Sequence, residues 1–419
     1  MKSIKSKKVK VINEKTMIAA LDIGKTVHYA YFRAPNGKDI KPFSFYNFKK
    51  SFDKFWIKIC QFKAEQGLDE VLIGFESTGP YAEPLCHYLR KKPVKLVQVN
   101  PMHSKRLKEL TGNSPNKTDK KDPRVIADVI SLGHSLTLVV PEGAAAQLRR
   151  LTQARERALE NRKAMMNQIQ HLMFVIFPEF HSVFKNMAIK SAMYLLKNHP
   201  APENVVSIGI ESLTDCLRKI SRYKLSQERI TKLFKAAQQS IGIKEGQESL
   251  LIEIKHLASN AELKSQFINS LEKQMEKYLE QIPYSQNILS IKGIGLITVA
   301  GLIGEVGDFN KFHTTSEIMK LAGLDLFEVS SGKHKGMRRI SKRGRSLMRK
   351  LLYFAAINAV RSKGIMREPY QQMIDRGMPK MKALIAVSRK LLKLIFALAR
   401  NNTMYEENYD SMHQLKLAA

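Results

Sequence analysis

Cysteine is scarce in this chain. Cys60, Cys86 and Cys216 are three, odd in number, widely separated and without a Cys-x-x-Cys pair. That argues against a disulfide framework and a zinc cluster, and it suits a reducing cytosol. Long apolar runs are missing as well. No stretch approaches the ~18 apolar residues that would span a bilayer, and the most apolar C-terminal run, Leu384 to Leu398, is broken by Arg389, Lys390 and Lys393. The first ten residues carry five lysines with no apolar signal-peptide core behind them, so no membrane partner is expected. No internal repeat or low-complexity segment stands out. Acid is the last shortage: 38 Asp and Glu stand against 70 Lys and Arg, a net charge of +32. Charge of that size repels itself and persists where an anionic partner neutralises it, which points to nucleic acid.

What is present is enough for two or three domains, since 419 residues at 44% hydrophobic can fill a core for each. Residues 1–16 read as a basic arm. From Met17 the pattern alternates between short apolar runs and helical periodicity. Strands are expected at Met17–Ile23, Val27–Phe32, Ile40–Tyr46, Val71–Phe75 and Val94–Val99, with Pro35-Asn36-Gly37 as a hairpin signal and Asn100-Pro101 closing the last strand. Helices fit Phe48–Glu65, closed by Gly67, and Tyr81–Leu89. Three strands in a meander followed by alternating helices and strands describe a mixed α/β sheet over residues 17–141, in the order of a ribonuclease-H-like fold.

Residues 142–282 read as helical and highly charged. Ile268, Leu271, Met275, Tyr278 and Ile282 repeat with heptad spacing, which serves either a coiled-coil dimer or an intramolecular bundle. Residues 283–402 form a helical C-terminal part, and 403–419 a tail.

Two acids end apolar strands. Asp22 closes Met17–Ile23, and Glu76 follows Val71-Leu72-Ile73-Gly74-Phe75. A buried charge there is costly unless it meets a partner or a metal. Two carboxylates forced together repel, and a divalent cation relieves that. Asp119 and Asp122 lie three apart, a spacing that shares a helix face. Four acids are the donor set of two-metal phosphoryl transfer. Asp122 has a rival role as an N-cap, because Pro123 follows it, and Asp128 reads as a solvated helix residue.

In the C-terminal part, Gly293-Ile294-Gly295 between apolar helical stretches has the form of a helix-hairpin-helix turn, or of an ordinary helix connection. Lys333–Lys350 holds nine cations and no acid: Lys333, Lys335, Arg338, Arg339, Lys342, Arg343, Arg345, Arg349 and Lys350. Interleaved Gly336, Ile340, Gly344 and Leu347 fit a loop entering a helix against phosphates. Ser330-Ser331-Gly332 lies just before it.

Together these residues resemble the DEDD transposases of bacterial insertion sequences, the RNA-bridged serine recombinases related to pilin-gene invertases. The motifs are Ala20-Leu21-Asp22-Ile23-Gly24-Lys25, Phe75-Glu76-Ser77-Thr78-Gly79-Pro80-Tyr81, Val99-Asn100-Pro101 and Asn116-Lys117-Thr118-Asp119-Lys120-Lys121-Asp122. In the C-terminal part they are Ile291-Lys292-Gly293-Ile294-Gly295, Leu321-Ala322-Gly323-Leu324, Ser331-Gly332 and Ile340-Ser341-Lys342-Arg343-Gly344. The resemblance implies a RuvC-like domain in which Asp22, Glu76, Asp119 and Asp122 hold Mg²⁺. It also implies a C-terminal transposase domain whose serine attacks DNA and stays covalently joined to it through a 5′-phosphoserine. Ser331 matches that serine, with Ser330 and Ser341 as fallbacks. Two departures are Pro123, where the family usually has alanine, and a basic loop between Ser331 and Ile340 that is one residue short.

The same resemblance implies donor and target DNA, a structured bridge RNA, and a dimer or tetramer with composite active sites in the bacterial cytoplasm at the nucleoid. Lys333, Lys335, Arg338, Arg339, Lys342, Arg343, Arg345, Gly293 and Gly295 are the expected nucleic-acid contacts. The competing readings are a hydrolytic RuvC-like junction-resolving endonuclease, and a nucleic-acid-binding protein whose acids are structural.

Overall fold

A computed structural model of the chain describes residues 12–76, 79–111, 122–328, 336, 338–361 and 364–407. It divides into two compact units, 1–139 and 140–419.

The first unit is built on a six-stranded mixed sheet in the order β3-β2-β1-β4-β5-β6. Its strands are β1 (Thr16–Ile23), β2 (Val27–Arg33), β3 (Phe43–Tyr46), β4 (Glu70–Glu76), β5 (Lys95–Val99) and β6 (Ser135–Thr137). β1, β2 and β3 form an antiparallel meander. β4 and β5 run parallel to β1, and β6 returns antiparallel. β1 is central, so both faces of its sequence TMIAALDI are covered. Met17, Ala19, Leu21 and Ile23 pack with Phe52, Phe55, Ile59 and Phe62 of helix α1 (Lys49–Glu65). Ile18 and Ala20 face the other way, into a cluster with Ile126, Ala127, Val129 and Ile130. Those belong to α4 (Asp122–Ser131), which follows α2 (Glu83–Leu89) and α3 (Pro101–Thr111).

Two elements depart from the sequence expectations. Asn100-Pro101 does not merely end a strand; it opens α3. The Asn100 side chain accepts the Met102 amide at 2.9 Å and its carbonyl accepts the His103 amide at 2.8 Å. Pro101 takes the first helical position, where its missing N–H costs nothing. β6 was not expected, being only three residues on the sheet edge.

Among its described residues the second unit is helical apart from a two-stranded ribbon, β7 (Leu326–Phe327) with β8 (Arg339–Ile340). In chain order its helices are α5 (Gly143–Ile176), α6 (Phe180–Val183), α7 (Lys190–Asn198), α8 (Pro202–Ile208), α9 (Ile210–Ser221), α10 (Gln227–Gln238), α11 (Gln247–Glu280) and α12 (Ser285–Leu289). They continue as α13 (Leu296–Val306), α14 (Thr315–Ala322), α15 (Ser346–Ala359), α16 (Arg367–Asp375) and α17 (Lys380–Asn401).

α5 and α11 lie antiparallel along their length. Arg155 Nε donates to Glu272 Oε1 at 2.6 Å, and Arg162 Nη1 to Ser265 Oγ at 3.2 Å. The heptad seam expected on α11 is therefore occupied by α5 of the same chain. Leu279, not Tyr278, is its buried member near the helix end. α7, α9 and α10 pack with Phe177, Phe180 and Phe184 in an apolar cluster that also takes in Ile169, Met173 and Ile176 of α5 and Ile254 and Ala258 of α11. α13 is buried on almost every side. It can approach α5 closely because a side chain on Gly304 would come within 2.6 Å of the Arg149 backbone. The residues on either side of 282 thus pack as one unit.

Candidate functional site

Strand register builds the first half of the site. β1 and β4 pair in parallel through Leu21 and Phe75, so the next residues along, Asp22 and Glu76, stand side by side about 4.8 Å apart between neighbouring backbones. Alternation puts both on the face that Ile18, Ala20 and Leu72 share with α4. Each is half-buried. Two adjacent carboxylates at strand ends are oxygen donors of the type a hard divalent cation takes. Among the described residues no group of three or more His, Cys, Asp or Glu is assembled as a metal cluster. Asp119 lies outside the described residues. Asp122 opens α4 and is engaged by a cation: Lys108 Nζ of α3 is 2.7 Å from its Oδ1.

The helix bearing Asp122 is fastened to the sheet by a polar chain that the sequence did not reveal. Arg33 Nη1 meets Asp128 Oδ1 at 2.5 Å, Arg33 Nε donates to the Tyr31 hydroxyl at 3.2 Å, and that hydroxyl donates to Asp39 Oδ2 at 2.5 Å. Arg124 lies 5.5 Å from the Tyr31 ring centroid. Burial works against the Arg33 charge, but the bonds to Asp128 and Tyr31 outweigh it and raise its pKa. Asp128 is thus no solvated helix residue: its partner lies 95 positions away. An apolar contact completes the attachment. Ile130 sits over Gly74, where a Cβ would come within 2.3 Å of Ile130 Cδ1.

The basic C-terminal segment splits into outward and inward cations. Arg339 and Lys342–Arg343 are exposed, and Arg338 pairs with Glu328 at 2.8 Å across the β7–β8 ribbon. Arg345 turns inward. It bonds the Glu305 carbonyl and lies 3.6 Å from the carboxylate of Glu305, a residue only 4% exposed. Burial and the nearby Arg149 charge bring the Arg345 pKa down to about 10 despite Glu305. Its place among the expected phosphate contacts is therefore taken by a structural pair inside the unit. Arg349 also serves the fold, donating to the Ala322 and Gly344 carbonyls at 2.9 and 2.8 Å.

Ser341 Oγ donates to Asp325 Oδ1 at 2.5 Å and accepts the Arg343 amide at 3.3 Å, so it holds the turn after β8. Ser330, Ser331, Lys333 and Lys335 lie outside the described residues. Gly293 adopts φ +91°, a left-handed conformation that suits glycine, with Asn358 close by. Gly295 caps α13. An open cleft of about 560 Å³ adjoins it, lined in part by Asn269, Lys273, Thr298 and Asn358.

Two family models match separate parts of the chain. Residues 19–178 match a model described as transposase. Residues 285–371 match a second, described as transposase of the IS116/IS110/IS902 family. The 43.6 kDa protein of insertion element IS110 from Streptomyces coelicolor is 24% identical over 393 residues, 92% of this chain and 94% of its own. The 42 kDa protein of insertion element IS900 from Mycobacterium paratuberculosis is 25% identical over 292 residues, 69% and 73% of the two chains. The transposase of insertion sequence element IS1111A from Coxiella burnetii is 26% identical over 141 residues, 33% and 39% of the two chains.

These matches define the class, a transposase. The two models together cover more than half of the chain, and it belongs to the IS110/IS116 family of insertion-sequence transposases. Among the described residues no helix is long and apolar enough to cross a membrane.

Proposed function

We propose that this transposase cuts DNA and joins the ends to new partners, using Asp22 and Glu76 as the first two ligands of an Mg²⁺ site. The observation that carries the reading is their register: two carboxylates on adjacent parallel strand ends, facing the same side of the sheet. The sheet order supports a ribonuclease-H-like, RuvC-like reading, since three antiparallel strands are followed by two parallel ones. Asp119 and Asp122 complete the set, with Asp122 leaving Lys108 to do so. Bound there, Mg²⁺ would supply charge neutralisation at the reacting phosphate. The chain's part is to hold the carboxylates fixed, through α4 and its attachment to Gly74, Tyr31 and Arg33.

Ser331 is the proposed nucleophile. Its oxygen forms a bond to a DNA phosphorus, and the P–O3′ bond breaks. The serine proton leaves to a base, and the departing 3′ oxygen takes up a proton. The product is a 5′-phosphoserine that keeps the phosphodiester energy for rejoining. Ser341 is less suited, because its hydroxyl is committed to Asp325. The exposed Arg338, Arg339, Lys342 and Arg343, with Lys333 and Lys335, would line the DNA path, and Gly293 and Gly295 would offer backbone amides to a phosphate. A bridge RNA and a dimer or tetramer with composite sites, working at the nucleoid, complete the proposal.

The test is a denaturing gel of end-labelled DNA incubated with the protein, Mg²⁺ and co-purifying RNA, with and without protease. A protease-sensitive shifted band that disappears in Ser331→Ala and persists in Ser330→Ala is expected. Cut DNA with no adduct in the native protein assigns the site to water, as in a junction-resolving endonuclease.

A further inference from the structure

At the outer edge of the sheet, Tyr46 and Phe48 stack with ring centroids 5.8 Å apart and planes 17° from parallel. They are 52% and 53% exposed, so each ring keeps much of its surface open to solvent. The corner that carries them is tied down. The Tyr46 amide donates to Ser51 Oγ at 2.8 Å, the Asn47 amide to the Thr26 carbonyl at 3.0 Å, and the Phe48 amide to the Tyr46 carbonyl at 2.9 Å. This is a fixed aromatic step rather than a loop that could fold its rings inward.

Its surroundings are cationic. Lys25, Lys49, Lys50 and Lys54 are exposed around it. Lys49 and Lys50 occupy the first two positions of α1, whose first turn holds no acid and whose cap residue, Phe48, supplies no side-chain acceptor. Cations at a helix N-terminus oppose its dipole, and a phosphate placed there offsets that repulsion. Lys49 lies 3.5 Å from Asp53, with its own side chain 87% exposed.

The step lies at the carboxylate end of the sheet. Tyr46 pairs with Val27, and Asp22 with Tyr29. Pairing and alternation therefore put Tyr46 on the same face as Asp22, two strands across and two residues further along. That is about 12 Å between backbones at the usual strand and residue spacings.

We propose that Tyr46 and Phe48 are a stacking platform for an unpaired DNA base of the strand being cut, with Lys25, Lys49 and Lys50 taking its phosphates. A convex aromatic step meets only a base whose flat face is open, which a duplex does not offer. The choice of DNA rests on the proposed cutting function, since the platform shares a sheet face with Asp22 and Glu76.

The experiment measures binding of the full-length protein in EDTA to a labelled single-stranded oligodeoxynucleotide, by fluorescence anisotropy. The same DNA as duplex, and a single-stranded RNA of the same sequence, are measured alongside. Tyr46→Ala/Phe48→Ala should weaken single-strand DNA binding about fivefold to 150-fold, the range for losing one stacked base. Duplex affinity and the salt slope should stay unchanged, because no charge is removed. Tyr46→Phe/Phe48→Tyr should restore binding, and an abasic nucleotide scanned along the DNA should weaken the native protein at one position but not the double variant. Unchanged single-strand binding, an equal loss on duplex, or a loss confined to RNA overturns the proposal. Because the assay needs no metal and no cleavage, such a failure leaves the cutting reading intact, whereas cleavage by Asp22→Ala would defeat that reading without touching this one.

Discussion

The packing of α4 on the sheet can be tested by moving one methyl group. Gly74→Ala puts a Cβ 2.3 Å from Ile130 Cδ1 and 3.0 Å from Val97 Cγ2, well inside the ~3.5–4.0 Å of an ordinary carbon contact. Overpacking of that size costs about 1–3 kcal/mol. Ile130→Val removes Cδ1, the clashing atom, and alone costs about 0.5–1.5 kcal/mol as a small cavity. In the double variant the new methyl occupies the space of the deleted one. The two changes should therefore compensate by about 1–2 kcal/mol, where independent sites add to within about 0.5 kcal/mol.

The readout is built into the chain. Trp56 is the single tryptophan, and it packs against the core of the first unit, so its emission during urea unfolding reports on that unit. With slopes of about 1–3 kcal/mol per molar urea, Gly74→Ala should lower the midpoint by on the order of 1 M, and Ile130→Val added to it should recover much of the loss. If the two losses simply add, Ile130 does not sit over Gly74, and the placement of the helix bearing Asp122 is wrong.

Asp22→Ala and Glu76→Ala should each abolish strand cleavage in Mg²⁺ while leaving the Trp56 unfolding midpoint unchanged or slightly raised, since mutual repulsion is relieved; normal cutting by either refutes the carboxylate assignment. His28 is fully buried among Phe45 and Phe52, and burial holds its pKa below the ordinary histidine value. The unfolded chain then binds the extra proton, so stability is full above the unfolded pKa of about 6.5 and falls as pH drops through it. The Trp56 midpoint should decline between about pH 7 and 5 in the native protein and less steeply in His28→Leu. Glu305→Leu strands Arg345 without its acid and should cost about 3–5 kcal/mol by circular dichroism, whereas Glu328→Ala beside the 72%-exposed Arg338 should stay within about 1 kcal/mol; equal costs would contradict the two burials. Replacing Arg338, Arg339, Lys342 and Arg343 by Gln should flatten the salt dependence of DNA binding by a few units at most, at about 0.9 per lost phosphate contact, and an unchanged slope makes them a solvated surface.

The meander and the parallel strands were legible because β1, β2, β4 and β5 are short β-rich runs bounded by Gly, Pro and Asn. Asp22 and Glu76 were legible for the same reason, as acids where an apolar strand stops. Their shared face was not, because it depends on the register of β1 against β4. Asp128 looked solvated because its donor is remote in sequence; Arg33 reaches it only after the sheet has formed. Alternation could have given a hint, for Tyr29, Tyr31 and Arg33 lie on the Asp22 face of β2. Gly74 in the middle of an apolar strand was another unused signal, since such a glycine marks a close approach.

The central helices show why a sequence seam can leave its partner undecided. Counting apolar residues on α11 gives a short heptad run, but the buried stripe runs from Ile254 through Ala258, Ala261, Ile268 and Met275 to Leu279. The two positions that interrupt its apolar reading are Ser265 and Glu272. On α5 the corresponding stripe of Leu148, Thr152, Ile169, Met173 and Ile176 is interrupted by Arg155 and Arg162. Each interruption meets one from the other helix, Arg155 with Glu272 and Arg162 with Ser265. A slip of one heptad would set Glu272 against Leu148 and leave Arg162 facing Ala258, stranding two half-buried charges. Pairing α11 in parallel with its own copy through this seam would bring Glu272 against Glu272. The polar residues that interrupt the two stripes are the ones that select the antiparallel partner within the chain, as polar groups at core positions of coiled coils set register.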